Sequence, residues 1–190
     1  MDVLLIGIVL FGGIHLFAML APAARDRLKQ QMGEGPWKGV FSLVSLIGLA
    51  LIIWGFSRTR EGPEAGDMLY VPAEWTRHAA MLLVLIAFIA VSSFHGKSYL
   101  KLWLQQPMSI GIAIWAAAHL LANGRRADVV MFGFFLLLAL LDIILSTVRG
   151  EIPHHQPQLR SDVIAVIVGV ILYLVFLLGF HPYILNRPIV

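Results

Sequence analysis

The sequence contains no cysteine and carries little charge. Without cysteine, the chain forms no disulfide, binds no metal through a thiolate and holds no cysteine-ligated iron–sulfur cluster. Charged residues make up only 13% of the 190 residues, against about 25% in a typical soluble domain. Hydrophobic residues make up 59%. The composition therefore excludes an ordinary soluble domain and indicates a chain that lies in a lipid bilayer.

Six apolar segments are long enough, or nearly long enough, to cross a bilayer, which takes about 20 helical residues. They cover residues 3–21, 39–57, 79–94, 107–122, 129–147 and 163–184. An open sheet would leave unpaired backbone groups in lipid, whereas a helix pairs these groups internally. The sequence therefore predicts an all-α fold, a polytopic transmembrane helical bundle of about six spans that forms a single domain over residues 1–190.

The charges that are present cluster between the spans. The formal net charge is +3, which we interpret as anchoring at the anionic lipid of the bilayer and not as nucleic-acid binding. The basic stretch from Arg25 to Lys38, expected as an interfacial loop, carries four Lys and Arg residues, and none precedes the first span. Because positive loops stay on the cytoplasmic side, this asymmetry places the N-terminus outside, on the periplasmic side.

Two of the seven histidines, His15 and His119, lie deepest within apolar spans. An ionisable side chain inside a membrane is by default a functional candidate, and imidazole is a good ligand for haem iron, copper and zinc. Two such histidines from facing helices predict a site for haem b. The alternative is that each histidine hydrogen-bonds a neighbouring helix and only stabilises the packing.

The depth of each histidine in the bilayer leaves the second ligand open. At about 1.5 Å per residue, His15 and His119 fall on opposite sides of mid-span, because their spans run in opposite directions. A haem shared by them would lie tilted or nearly flat in the membrane, unless the helices are strongly tilted. His78, at the outer start of the third span, matches the depth of His119 better. The residues alone therefore leave His15 and His78 as alternatives.

Three charged residues near these spans are further candidates. Asp142 is the only acid inside a span, where it could pair with a histidine or relay protons. The interpretation that we favour is that it reaches water, about a turn and a half from the helix end. Arg125 and Arg126 could bind the propionates of a haem bidentately, or they could anchor the chain at the lipid headgroups.

Several motifs resemble those of the NnrU family of membrane proteins, over essentially the whole chain. They are Gly7-Ile-Val-Leu-Phe11-Gly-Gly-Ile-His15, Arg25 with Gly33-Glu34, Trp37-Lys38-Gly39, Trp75-Thr-Arg77-His78, Pro107-Met108 and, most specific, Trp115-Ala-Ala-Ala-His119-Leu-Leu-Ala-Asn123-Gly124. The resemblance implies a multi-pass protein of the bacterial inner membrane. It also implies an association with denitrification, in nitrite and nitric oxide reduction or its regulation.

The family is in turn similar to the plant and cyanobacterial zeta-carotene isomerase, an integral membrane enzyme that uses haem b. Carried over by motif, the haem ligands of the isomerase fall on His15 and His119. The isomerase has an Arg-His-Pro triplet where this chain has Gln105-Gln106-Pro107. The missing histidine argues against transferring the isomerase reaction, although not the haem site.

The sequence supports three hypotheses of function. The first is a haem b protein, ligated by His15 and His119, that senses nitric oxide or assists its redox chemistry or that of nitrite. The second is a haem-dependent cis–trans isomerase of a carotenoid-like polyene or another apolar lipid. The third is a non-enzymatic assembly or transport partner in which the histidines only pack.

Overall fold

The computed structural model describes residues 1–61 and 63–184, which are largely helical. The helices are α1 (Asp2–Leu20), α2 (Pro22–Met32), α3 (Glu34–Arg58), α4 (Thr76–Ser92), α5 (Tyr99–Leu104), α6 (Pro107–Ala122), α7 (Arg126–Val148) and α8 (Leu159–Val175). Two short 3-10 helices cover Pro63–Gly66 and Ser93–His95, and a π-helical segment, Phe176–Ile184, continues α8. No strand occurs in the described ranges, and the all-α prediction is confirmed.

Five helices are long and apolar enough to cross a membrane, and α6 is a shorter apolar helix of 16 residues. Each of the six predicted spans corresponds to one of these helices. Their outward faces are apolar as well: Val9 is 70% exposed, Leu46 65% and Ile171 53%. A helix with apolar residues on all sides is typical of a membrane span. The polytopic helical bundle predicted from the sequence is thereby confirmed.

The basic stretch after α1 is helical, although an interfacial loop was expected there. Pro22 begins α2 as its first residue, a position where the missing N–H of proline has no helical partner to lose. Only Gly33, with a φ of 89°, separates α2 from α3. Helix α3 therefore starts at Glu34, before the start at residue 39 that apolar character alone predicted, because hydropathy does not detect the polar first turn.

The described residues group into two compact units. The first unit contains Met1–Leu69 and Arg125–Phe134, and the second contains Tyr70–Gly124 and the described part of Phe135–Val190. Helix α7 passes from the first unit to the second between Phe134 and Phe135. The single domain over residues 1–190 stays a prediction, and Gly62 and residues 185–190 lie outside the described residues.

In the first unit, α1 packs against α3 with almost no space between the two backbones. A Cβ atom added to Gly48 would lie 2.7 Å from the backbone nitrogen of Phe11, and one added to Gly7 would lie 2.6 Å from that of Ile52. Glycine permits such close approach between membrane helices. This crossing fixes the part of α1 that carries Phe11 and, one turn later, His15.

In the second unit, α4 packs against both α6 and α8. The contacts again depend on small residues. A Cβ atom added to Gly111 of α6 would lie 2.8 Å from the carbonyl oxygen of Ala87, and one added to Gly169 of α8 would lie 2.7 Å from the Cα atom of Ile89. Helix α4 thus holds α6 and α8 within one unit.

Candidate functional site

Three histidines in the apolar helical segments, His15, His119 and His181, share one hydrogen-bonding arrangement. In each, the Nδ1 atom lies within hydrogen-bond distance of a backbone carbonyl oxygen one helical turn earlier. The distances are 2.7 Å from His15 to Phe11, 2.8 Å from His119 to Trp115 and 2.7 Å from His181 to Phe176. A carbonyl oxygen only accepts, so Nδ1 carries the proton and, in the neutral ring, Nε2 carries the lone pair. All three rings are therefore in the tautomer that ligates a metal through Nε2.

His15 lies in α1 of the first unit and is half-buried among aromatic rings. Its ring stacks on Phe11 with centroids 4.1 Å apart and planes inclined by 20°. The ring of Phe41 on α3 lies 4.9 Å away at 59°. These two rings, together with the hydrogen bond to the Phe11 carbonyl, fix the orientation of the imidazole.

His119 lies in the last turn of α6, in the second unit, and is also half-buried. The indole of Trp115, one turn earlier, lies 4.9 Å from its ring, and that indole packs edge-on against Phe135 at 5.6 Å. The side-chain amide of Asn123 donates to the carbonyl oxygen of His119 at 2.9 Å. The helix ends at Ala122, where the predicted span 107–122 also ends.

Tyr70 closes the end of the helix that carries His119. Its hydroxyl donates to the carbonyl oxygen of Asn123 at 2.7 Å and also contacts that of Leu120. Its backbone nitrogen donates to the carbonyl oxygen of Gly124 at 3.3 Å. A Cβ atom at Gly124 would overlap the Tyr70 carbonyl group, so only glycine permits this approach. The last carbonyl groups of a helix have no hydrogen-bond donor within the helix, and here Tyr70 supplies donors at the end of α6.

The structure brings His181 close to His119, a relationship that the sequence did not indicate. The two ring centroids lie 6.3 Å apart and the ring planes are inclined by only 14°. His181 lies in the π-helical segment Phe176–Ile184, directly before Pro182. A histidine at the end of an apolar span was visible in the sequence, but its partner on another helix was not.

His78, the alternative ligand, is the third residue of α4 and is exposed. Within residues 1–61 and 63–184, no group of three or more His, Cys, Asp or Glu side chains is arranged to hold a metal ion. A haem asks less of the protein, because its porphyrin supplies the other ligands and imidazoles supply the axial ones. Half-buried imidazoles in the Nε2-ligating tautomer fit such a group.

The two arginines proposed for haem propionates already contact carboxylates. Arg125 donates through Nε and a terminal nitrogen to the two oxygens of Asp128, at 2.9 and 2.8 Å, and Asp128 is only 1% exposed. A terminal nitrogen of Arg60 lies 3.9 Å from the same carboxylate. Arg126 pairs with Asp67 at 2.8 Å, at an exposed position. The sequence analysis did not predict the buried ion pair of Arg125 and Asp128. The three-residue spacing between them, about one helical turn, could have indicated it.

Asp142 accepts a hydrogen bond from the hydroxyl of Ser109 at 2.5 Å. Its carboxylate lines a cavity of about 460 Å³ that is also lined by Lys101, Glu151 and the Gln105-Gln106 pair. The interpretation that Asp142 reaches water stays a prediction. Gln105 has a φ of +60°, which is uncommon for a residue other than glycine. The two glutamines that stand where the isomerase has its Arg-His pair thus line the same cavity as Asp142.

The sequence was compared with known protein families, curated proteins and solved structures. The model of the family described as NnrU protein matches residues 3–188, nearly the whole chain. No curated protein and no solved structure gives a significant match. The family match agrees with the resemblance found in the sequence motifs. One of those motifs ends at His15, and another includes His119.

Proposed function

Because the chain belongs to the NnrU family, we propose that it is a haem b protein of the bacterial inner membrane that acts in the nitrite or nitric oxide chemistry of denitrification. His119 would hold the haem iron together with a histidine from another helix. The family resemblance favours His15 as the second ligand, with His78 as the alternative. The lipid bilayer is its environment, and nitric oxide is its proposed small-molecule partner.

The observation that carries the proposal is the hydrogen bond from Nδ1 of His119 to the carbonyl oxygen of Trp115. Metal-ligating histidines almost always donate their second ring N–H to a carbonyl or carboxylate, which fixes the tautomer and makes the ligating nitrogen more basic. His15 makes the equivalent bond to Phe11. Each of these rings therefore presents Nε2 as the nitrogen that would ligate the iron.

The residues around His119 and His15 supply what an iron ligand needs. Trp115 packs beside His119, and Phe11 and Phe41 pack beside His15, so that the rotation of each imidazole is restricted. When bound, haem would supply a redox-active iron whose potential depends on its axial ligands and on the polarity around it. Arg125 and Arg126 remain the candidates for the propionates, which would have to share these guanidinium groups with Asp128 and Asp67.

The experiment is an absorption spectrum of the detergent-purified protein, oxidised and then reduced with dithionite, after expression with sufficient haem. We expect a Soret band and sharp reduced α and β bands, as in low-spin haem with two imidazole ligands. The His119→Ala variant should lose the sharp bands and most of the bound haem. His154, an exposed residue, provides the matched control, and His154→Ala should retain the wild-type spectrum.

A colourless wild-type protein would refute the proposed function. A coloured protein in which His119→Ala binds haem normally would also refute it, because His119 would then only pack. Size-exclusion chromatography of each variant in detergent distinguishes loss of ligation from loss of the fold.

A further inference from the structure

The rings of His119 and His181 lie too far apart to be stacked on one another. Contacting carbon atoms lie about 3.5–4.0 Å apart, whereas these near-parallel rings have centroids 6.3 Å apart. Rings at the stacking distance would reach this separation only when displaced by about 5 Å, beyond any overlap of their faces. Stacking therefore does not explain the near-parallel orientation of the two imidazoles.

The observed separation matches the one expected for two imidazoles on opposite sides of one metal ion. The two ligating nitrogens of such a pair lie about 4.1 Å apart, because each metal–imidazole bond is about 2.0–2.1 Å long. Each ring centre lies about 1.1 Å behind its nitrogen, since conjugated ring bonds are about 1.33 Å long. The ring centres of a linear pair are thus about 6.3 Å apart, and a tetrahedral angle would reduce this to about 5.1 Å. The observed 6.3 Å agrees with the linear arrangement, which the two axial ligands of a haem adopt, and not with the tetrahedral one.

Both rings also have the tautomer that this arrangement requires. His119 donates its Nδ1–H to the carbonyl oxygen of Trp115, and His181 donates its own to that of Phe176. In each ring the lone pair is therefore on Nε2. These second hydrogen bonds are the usual means by which a protein orients a histidine ligand.

The backbone that carries His181 departs from a regular α-helix. His181 bonds the carbonyl of Phe176, five residues earlier, in a π-helical segment that contains Pro182. Such wide turns are frequent at functional sites because they change the direction of one side chain. Phe176 packs on Phe88 of α4 at 5.1 Å. Helix α4 also packs against α6. It therefore contacts both segments that carry the two histidines, α6 with His119 and the π-helical segment with His181, within the second unit.

We propose that His181 is the axial ligand opposite His119. The assignment rests on the proposed function for the identity of the metal, the iron of haem b. It places both ligands in the second unit, on α6 and on the π-helical segment after α8. The proposed pair, His119 and His181, differs from the pair that the family resemblance favours, His119 and His15. With the proposed pair, His15 is not needed to keep the iron low-spin.

The test compares His181→Ala and His15→Ala in the full-length protein purified in detergent. We expect His181→Ala to lose the sharp reduced α and β bands and to show a high-spin ferric signal in electron paramagnetic resonance. Added imidazole should restore the low-spin spectrum, which also shows that the variant is folded. His181→Met, which substitutes a thioether ligand, should stay low-spin with a reduction potential higher than that of the wild type. His15→Ala should retain both the sharp bands and the low-spin signal.

The opposite pattern would overturn this assignment and leave the proposed function standing. In that pattern, His181→Ala keeps the wild-type spectrum while His15→Ala or His78→Ala becomes high-spin. A wild-type protein without a Soret band would overturn the proposed function and this assignment together. The two failures are therefore told apart by the colour of the wild-type protein.

Discussion

The hydroxyl of Tyr70 donates a hydrogen bond to the carbonyl oxygen of Asn123 at 2.7 Å, and thereby ties the loop before α4 to the end of α6. Asn123 in turn donates through its amide to the carbonyl of His119 at 2.9 Å. Two consecutive hydrogen bonds therefore separate Tyr70 from the backbone of the principal ligand candidate. The position of His119 depends on a residue 49 positions earlier in the sequence.

Replacing Tyr70 with phenylalanine tests this dependence. The change removes the hydroxyl and leaves the carbonyl of Asn123 without that donor, which should lower the free energy of unfolding by about 0.5–1.5 kcal/mol. The measurement is thermal or denaturant-induced unfolding of the detergent-purified protein. Tyr183 is 84% exposed, so Tyr183→Phe is the matched control and should leave stability unchanged. Equal effects of the two substitutions would contradict the role assigned to Tyr70.

Asp128→Asn should destabilise the first unit strongly. The carboxylate is 1% exposed and receives two hydrogen bonds from Arg125. Removing one partner of a buried ion pair leaves an uncompensated charge and costs about 3–5 kcal/mol. Arg125 and Arg60 are each partly exposed, so we expect a loss near the lower limit of that range.

Asp67→Asn is the matched control for the buried pair. Asp67 pairs with Arg126 at 2.8 Å, but the two side chains are 38% and 56% exposed. Because exposed ion pairs contribute only about 0–1 kcal/mol, this variant should unfold close to the wild type. If Asp67→Asn were as destabilised as Asp128→Asn, burial would not be the cause.

Gly48→Ala should weaken the packing of α1 on α3. The added Cβ atom would lie 2.7 Å from the backbone nitrogen of Phe11, so the helices would have to separate. Overpacking of this kind costs about 1–3 kcal/mol. Gly39 on the same helix has no atom within 4 Å of an added Cβ atom, and Gly39→Ala should be neutral or stabilising by up to about 1 kcal/mol through helix propensity. Unfolding in detergent measures both, and a more stable Gly48→Ala variant would contradict the close contact.

The number and places of the apolar helices could be predicted from the sequence because lipid imposes a simple rule. Each span must be apolar over about 20 residues and must pair its own backbone, and both properties are local. The ends of helices that extend beyond the apolar segments were less predictable from the sequence. The polar start of α3 at Glu34 and the separate helix α2 follow from proline and glycine positions, which hydropathy does not report.

The sequence by itself determined the candidate chemistry: no thiol, few charges, and imidazoles inside apolar helices. Only the tertiary structure decided which of these groups meet, because such contacts depend on helix packing and not on spacing along the chain. His119 and His181 are 62 residues apart in the sequence, yet their rings lie 6.3 Å apart since α4 holds both of their helices. Likewise, Asp128 lies just before the predicted span 129–147, and only the tertiary structure shows that it is buried beside Arg125 and Arg60.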